Sequence, residues 1–166
     1  LDPDALKYAL QGSNATIMTE ADLTDEVLNQ LNAYTRKAGL TAADFYVNEK
    51  IPFGFNYVDA DTDITHDNDT QGDHGSHVTG IAAGNRFVKD EAGNYVAALD
   101  SVMTQGVAPD AQILTMKVFG KGGGAYDSDY MAALEDALLL DCDTVNLSLG
   151  SSVSGHTFSD NDELFA

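Results

Sequence analysis

An apolar run, a helix-period stretch and an alternating run follow one another between residues 113 and 149. That succession most limits what this chain can fold into. Ile113–Val118 is short, apolar and suited to a buried strand. Ser128–Leu140 has helical periodicity, with Met131, Leu134 and Leu138 on one stripe and Ser128 or Asp127 as the N-cap. Val145, Leu147 and Leu149 then alternate with Thr144, Asn146 and Ser148, the period-two pattern of a strand. Strand, helix, strand at this spacing is a βαβ unit, and strands joined by such a crossover lie parallel in one sheet. The expected class is α/β with a parallel sheet.

Upstream, residues 22–38 read as an amphipathic helix, with Val27, Leu28, Leu31 and Tyr34 on one face and Gly39 as its stop. Ile51–Tyr57 suits a strand, and the polar, acidic tract Asp59–Asp73 a loop. Residues 86–105 read as a surface excursion.

Between these lies the densest motif, Gly72-Asp73-His74-Gly75-Ser76-His77-Val78-Thr79-Gly80-Ile81-Ala82-Ala83-Gly84. It places His74 at the first turn of a helix that ends near Gly84-Asn85. The glycines allow a neighbouring backbone to crowd in, and Val78, Ile81 and Ala82 recur as one buried stripe. His77, one turn on, reads as a hydrogen-bonding histidine on the interior side.

Six residues here, His66, Asp67, Asp69, Asp73, His74 and His77, raise the question of a metal. Zinc hydrolases of the HExxH type need histidines at i and i+4 with a glutamate between; His74 and His77 are i, i+3 with none. A calcium loop of the EF-hand type begun at Asp67 has Gly72 at its glycine position but Val78 where the glutamate belongs. Begun at Asp59, it has Ile64 at the glycine position. Neither pattern fits, and no metal ligands are assigned.

A formal charge of −19 opposes nucleic acid or an anionic membrane as partner, because phosphate would be repelled. No run approaches the roughly 18 apolar residues of a membrane span. The 43% hydrophobic content over 166 residues can supply the core of one domain. The single cysteine, Cys142, cannot form an internal disulfide and reads as a buried, inert thiol. Asn-X-Ser/Thr sequons at Asn14, Asn68 and Asn146 carry little weight, Asn146 lying in an expected core strand.

The His74 segment resembles the catalytic-histidine motif of the subtilisin-like serine proteases, or subtilases. Further motifs follow in the family's order. Gly106-Val107-Ala108-Pro109 with Ile113–Phe119 resembles the family's GVAP turn and next core strand. Gly122-Gly123-Gly124-Ala125-Tyr126 stands where the family has its substrate-pairing segment. Asp143–Gly150 resembles its (D)VINMSLG strand. Leu1–Asp4 resembles the residues after the family's Asp-(Ser/Thr)-Gly signature. Residues 19–40 and 47–57 resemble an insertion of the bacterial cell-envelope proteinases, the lactocepins and streptococcal C5a peptidases.

The resemblance implies a three-layer subtilisin-like fold, incomplete over these residues, and an extracellular, secreted or cell-wall-attached bacterial serine endopeptidase. It implies His74 as general base. Gly122, Gly123 and Gly124 become one edge for an extended substrate, Tyr126 a pocket wall, and Ser148, Leu149 and Gly150 the opposite edge. No Asp-(Ser/Thr)-Gly and no Gly-Thr-Ser occur, so the triad aspartate is expected before Leu1 and the nucleophile after Ala166. Residues 1–166 are then part of one catalytic domain: 1–71 the post-aspartate insertion and acidic loop, 72–150 the histidine helix and cleft unit, 151–166 the start of a following loop or helix. Its partners are a protein or peptide substrate and the remainder of the same domain. No cofactor is required, and the acidic loop leaves room for a structural calcium. Two other readings stand beside this one: a degenerate, non-catalytic protease-like binding domain, and a metal-dependent hydrolase.

Overall fold

The computed structural model describes residues 1–67 and 72–150. The expectation for 151–166, and Asn68 and Asp69 of the acidic loop, lie outside the described residues.

The chain begins with α1 (Pro3–Ala9), where Pro3 sits in the first turn and the Asp2 carboxylate accepts from the Asp4 amide. A short 3-10 turn (Glu20–Asp22), α2 (Asp25–Leu28), α3 (Asn32–Arg36) and α4 (Ala42–Phe45) lead to β1 (Phe53–Asn56). The one helix expected over 22–38 is therefore broken. Leu31 is extended, with ψ of 138°, so α3 begins as a new helix. Its first amides are taken from across the molecule: Asp136 Oδ1 accepts from Asn32 N–H at 2.7 Å and Oδ2 from Ala33 N–H at 2.9 Å. A carboxylate at a helix N-terminus meets both the orphan donors and the positive end of the dipole.

Next come α5 (His74–Ala83), the antiparallel hairpin of β2 (Phe87–Lys89) and β3 (Tyr95–Ala97), and α6 (Ala98–Ser101). The chain then forms β4 (Leu114–Lys117) and α7 (Asp127–Leu139). β1 and β4 pair in parallel, Phe53 opposite Leu114 through Asn56 opposite Lys117. The expected parallel sheet is present, but β4's partner is β1. Residues 143–150, expected as a strand beside it, form no ladder among the described residues. Alternation records which side chains are apolar; a strand also needs a paired edge, and here the paired edge belongs to β1.

The core gathers on β1, whose residues are all buried, as in a strand covered on both faces. Phe45 stacks on Phe53 with centroids 5.3 Å apart, and Phe55 meets Tyr57 edge-on at 5.1 Å. Leu23, Leu28, Leu31, Ala132 and Ala133 complete the cluster. On the other face Gly54 admits Ile64, whose Cδ1 would lie 3.0 Å from an added Cβ.

α7 buries a face the periodicity did not single out: Asp129, Ala132, Ala133, Asp136 and Ala137. Leu138 is 76% exposed, and Met131 and Leu134 are half-buried. The reason is α3, which packs on α7. Small alanines let it approach, and the two aspartates receive its donors. Cys142 is half-buried and its thiol donates to Thr144 O at 3.0 Å.

Candidate active site

α5 is positioned chiefly by its C-terminal end. The last carbonyls of a helix lack intrahelical partners. Here three consecutive amides of the 106–108 turn supply them: Gly106 N–H to Gly84 O at 2.8 Å, Val107 to Ile81 O at 3.0 Å, Ala108 to Ala82 O at 2.8 Å. The two backbones lie so close that a Cβ on Gly106 would stand 2.3 Å from Gly84 N. A Cβ on Gly84 would stand 2.7 Å from Gly80 O. The crowding expected from the glycines is real at Gly84 and Gly106. Gly75 and Gly80 face open space.

The 106–113 segment is in turn fastened to the rest. Lys50, fully buried, donates from Nζ to Pro109 O at 2.7 Å and Ala111 O at 2.6 Å. Burial pushes its ammonium down to about 8, against the pull of Asp110. Gln112 exchanges two hydrogen bonds with the Met18 backbone. At the other side of α5's end, Asp2 N–H donates to Asn85 Oδ1 at 2.7 Å and Asn85 Nδ2 to Asp2 O at 3.0 Å. Leu1 and Asp2 are thereby held beside the histidine helix. A groove of about 650 Å³ opens there, lined by Leu1, Ser76, His77, Ile81, Phe87 and Val107 among others.

His74 is the first residue of α5 and is exposed. The interior face expected of this helix is not enclosed. Ile81 is 69% exposed, Val78 and Ala82 are half-buried, and Ala83 is the buried residue. His77 is not a core histidine: its side chain is 71% exposed and its Nε2 lies 3.3 Å from Asp73 Oδ2, one turn back. Of the expected stripe, Ile81 lines the groove.

Among the described residues no three His, Cys, Asp or Glu side chains stand close enough to hold a metal. Two loop carboxylates already have partners: Asp63 accepts from the Thr65 amide and hydroxyl, Asp59 from the Asn56 amide group.

Gly122–Gly124 lie in a tight turn. Gly120 N–H donates to Gly124 O at 3.0 Å and Gly123 N–H to Gly120 O at 2.8 Å, with Gly123 at φ +82°. A Cβ added at Gly122 or Gly124 would meet nothing within 4 Å. Tyr126, the N-cap residue of α7, is exposed. Ser148 and Gly150 are exposed and Leu149 half-buried; Ser148 Oγ accepts from Asn146 Nδ2 at 3.0 Å. No ladder joins the 148–150 segment to the glycine turn among the described residues.

Sequence reasoning passed over the buried charges that fix the frame. Asp136 accepts four hydrogen bonds, from Asn32 N–H and Nδ2, Ala33 N–H and Tyr57 OH. Burial, then the Asp136 charge, push the Tyr57 hydroxyl far above its ordinary range, so it stays a donor. The available signal was the pair Asp129 and Asp136 in register with Ala132 and Ala133 on one helical face.

The subtilase family model matches residues 15–164. The chain belongs to the subtilase family. It is 40% identical over 119 residues to the PI-type proteinase of Lactococcus lactis subsp. cremoris, covering 69% of this chain and 6% of that one. It is 36% identical over 106 residues to the minor extracellular protease Vpr of Bacillus subtilis, covering 61% and 11%. It is 29% identical over 119 residues to a C5a peptidase of Streptococcus pyogenes, covering 70% and 9%. No solved structure matches the chain. This subtilase chain thus spans a small part of the length of the relatives it matches. Its parallel β1–β4 pair with flanking helices is consistent with the family's α/β fold.

Proposed function

We propose that these residues are the histidine-bearing part of a bacterial serine endopeptidase, secreted or attached to the cell wall, that hydrolyses peptide bonds in proteins. The observation that carries this is His74 itself. It stands exposed at the start of a helix whose far end is locked backbone to backbone, in a chain of the subtilase family. A general base needs that combination of access and fixed geometry.

In this reading the His74 imidazole takes the proton of a serine hydroxyl as it attacks the scissile carbonyl, then returns it to the leaving amine. A carboxylate fixes its tautomer and stabilises the imidazolium. The remainder of the catalytic domain supplies both partners. The groove beside Leu1 and Ile81 is where that remainder would meet this segment, which would cover the exposed Ile81. The glycine turn forms one edge for substrate, with Tyr126 as a pocket wall and Ser148–Gly150 as the opposite edge. No cofactor takes part, and −19 charge suits an extracellular protein that avoids anionic surfaces.

The test is serine-directed labelling and peptidase assay of the full-length protein. His74→Ala should abolish labelling and cut turnover by roughly 10⁴-fold or more, because a triad acts as a unit. A folded full-length protein that takes no label even with His74 intact would favour the binding-domain reading. Activity lost to a chelator would favour metal hydrolysis. For the edge, a Cβ at Gly124 has no neighbour within 4 Å, so Gly124→Val tests the substrate side of that turn. It should lower kcat/KM on long peptides more than on small activated esters, which scarcely touch that edge.

A further inference from the structure

The segment from 118 to 126 is held upstream by Tyr57 and downstream by Arg36, and the two are joined to each other. At the upstream end, Tyr57 N–H donates to Lys117 O at 2.8 Å. At the downstream end, Arg36 Nη1 donates to Asp129 Oδ1 at 2.6 Å and Nη2 to Ser128 O at 3.0 Å, in the first turn of α7. Arg36 closes the path between them, because Nη1 also donates to Tyr57 O at 2.7 Å and the guanidinium lies 5.9 Å from the Tyr57 ring centroid. In the middle Gly120 rests on Val58, whose Cγ1 would be 2.7 Å from an added Cβ.

The clamp is built rather than incidental. Asp129 is 6% exposed and Tyr57 fully buried. Tyr57 is fixed at its far end by Asp136, which also caps the start of α3, and Arg36 is the last residue of that helix. Two points along α7 thus hold both ends of α3. A planar guanidinium reaches three acceptors from fixed directions, which a lysine ammonium on a flexible stem cannot reproduce.

We infer that Arg36 is a positioning residue for substrate binding: it sets where the Gly122–Tyr126 segment stands by tying the start of α7 to the end of β1. This rests on the reading of that segment as a substrate edge. It also assigns a task to the 19–57 region, which supplies Arg36 and Tyr57 but no group that touches the reacting atoms.

The experiment uses the full-length protease with Arg36→Gln, Arg36→Lys, Gly124→Val and the double variant Arg36→Gln/Gly124→Val. Each is assayed on a peptide substrate reaching four residues before the cut and on a small activated ester. Arg36→Gln should raise KM for the peptide by about tenfold while kcat and the ester kcat/KM stay within about twofold, the pattern of a displaced binding edge. Arg36→Lys should show the same split at about threefold, and it decides the matter if Arg36→Gln does not fold. The double variant should lose little beyond Gly124→Val alone, since both act through one segment. Equal losses on peptide and ester, or full additivity, would overturn the inference. If Gly124→Val separates the substrates and neither Arg36 variant does, this inference alone fails. If Gly124→Val does not separate them, the edge reading fails and takes the inference with it.

Discussion

Around β1 the chain is sealed, whereas around α5 it is open. In the sealed region Phe53, Phe55 and Tyr57 are fully buried, and even Lys50 and Asp136 are enclosed with partners. In the open region His74, Ser76, His77 and Ile81 all face outward. The sealed region contains no motif residue of the proposed chemistry, and the open one contains its base. The two differ also in how they are joined. Side-chain charges lock α3 to α7, while backbone amides lock α5 to the 106–108 turn. Stability and chemistry are thus held by different atoms, and substitutions should separate them.

The sealed side should break hardest at Asp136. Asp136→Ala leaves two amides of α3 and the Tyr57 hydroxyl without an acceptor, and should cost about 3–5 kcal/mol in urea unfolding. Asp136→Asn, which keeps one carbonyl, should cost less. The joint between the regions should come next. Gly106→Ala forces a Cβ into the Gly84 backbone and should cost about 3 kcal/mol, overpacking against main chain that cannot rotate away. An unchanged urea midpoint for either would mean that α3 or α5 is held by something else.

Lys50 gives the comparison a pH axis. Its ammonium is pushed down to about 8 from 10.5, so between those values the unfolded chain binds the proton and the folded chain does not. Stability should rise with pH across that window, by about 3 kcal/mol. Tyr57 acts oppositely. Its pKa is raised above the ordinary 10.0, so above that pH the unfolded chain loses a proton that the folded chain keeps, and stability falls. A maximum near pH 10 is expected, where the Lys50 rise gives way to the Tyr57 fall, and Lys50→Met should remove its rising limb. Smallest of all should be His77→Ala, within about 0.5 kcal/mol by thermal melting, since an exposed side chain paired with an exposed Asp73 has little to lose. A larger loss would show that α5 is more enclosed than its exposure implies.

What could be read from the residues alone divides along the same line. α5 starts at His74 and ends before Gly84 as its local signals require, because caps and glycines act within a turn or two. β1 and β4 fall inside the apolar runs that announced them. The break between α2 and α3 was not legible, because the acceptor that starts α3 lies about a hundred positions away at Asp136. The inward face of α7 was misread for a related reason. Leucine marks a stripe by hydrophobicity, but alanine and aspartate won the interior through fit and hydrogen bonding with α3. The histidine and the glycines were proposed from motif order, and Arg36 went unnoticed because its hydrogen-bond partners Tyr57, Ser128 and Asp129 come together only in three dimensions.

The docking of the 106–108 turn on α5 has an evolutionary corollary. Peptide groups, not side chains, make all three of its hydrogen bonds, so the joint is indifferent to most of the alphabet at 81, 82, 107 and 108. Two positions, 84 and 106, tolerate only the residue without a side chain. Lineages can therefore rewrite the surface around the histidine, and with it whatever docks there, without re-aiming the helix that carries it. Such a joint lets the surroundings drift while the histidine stays put.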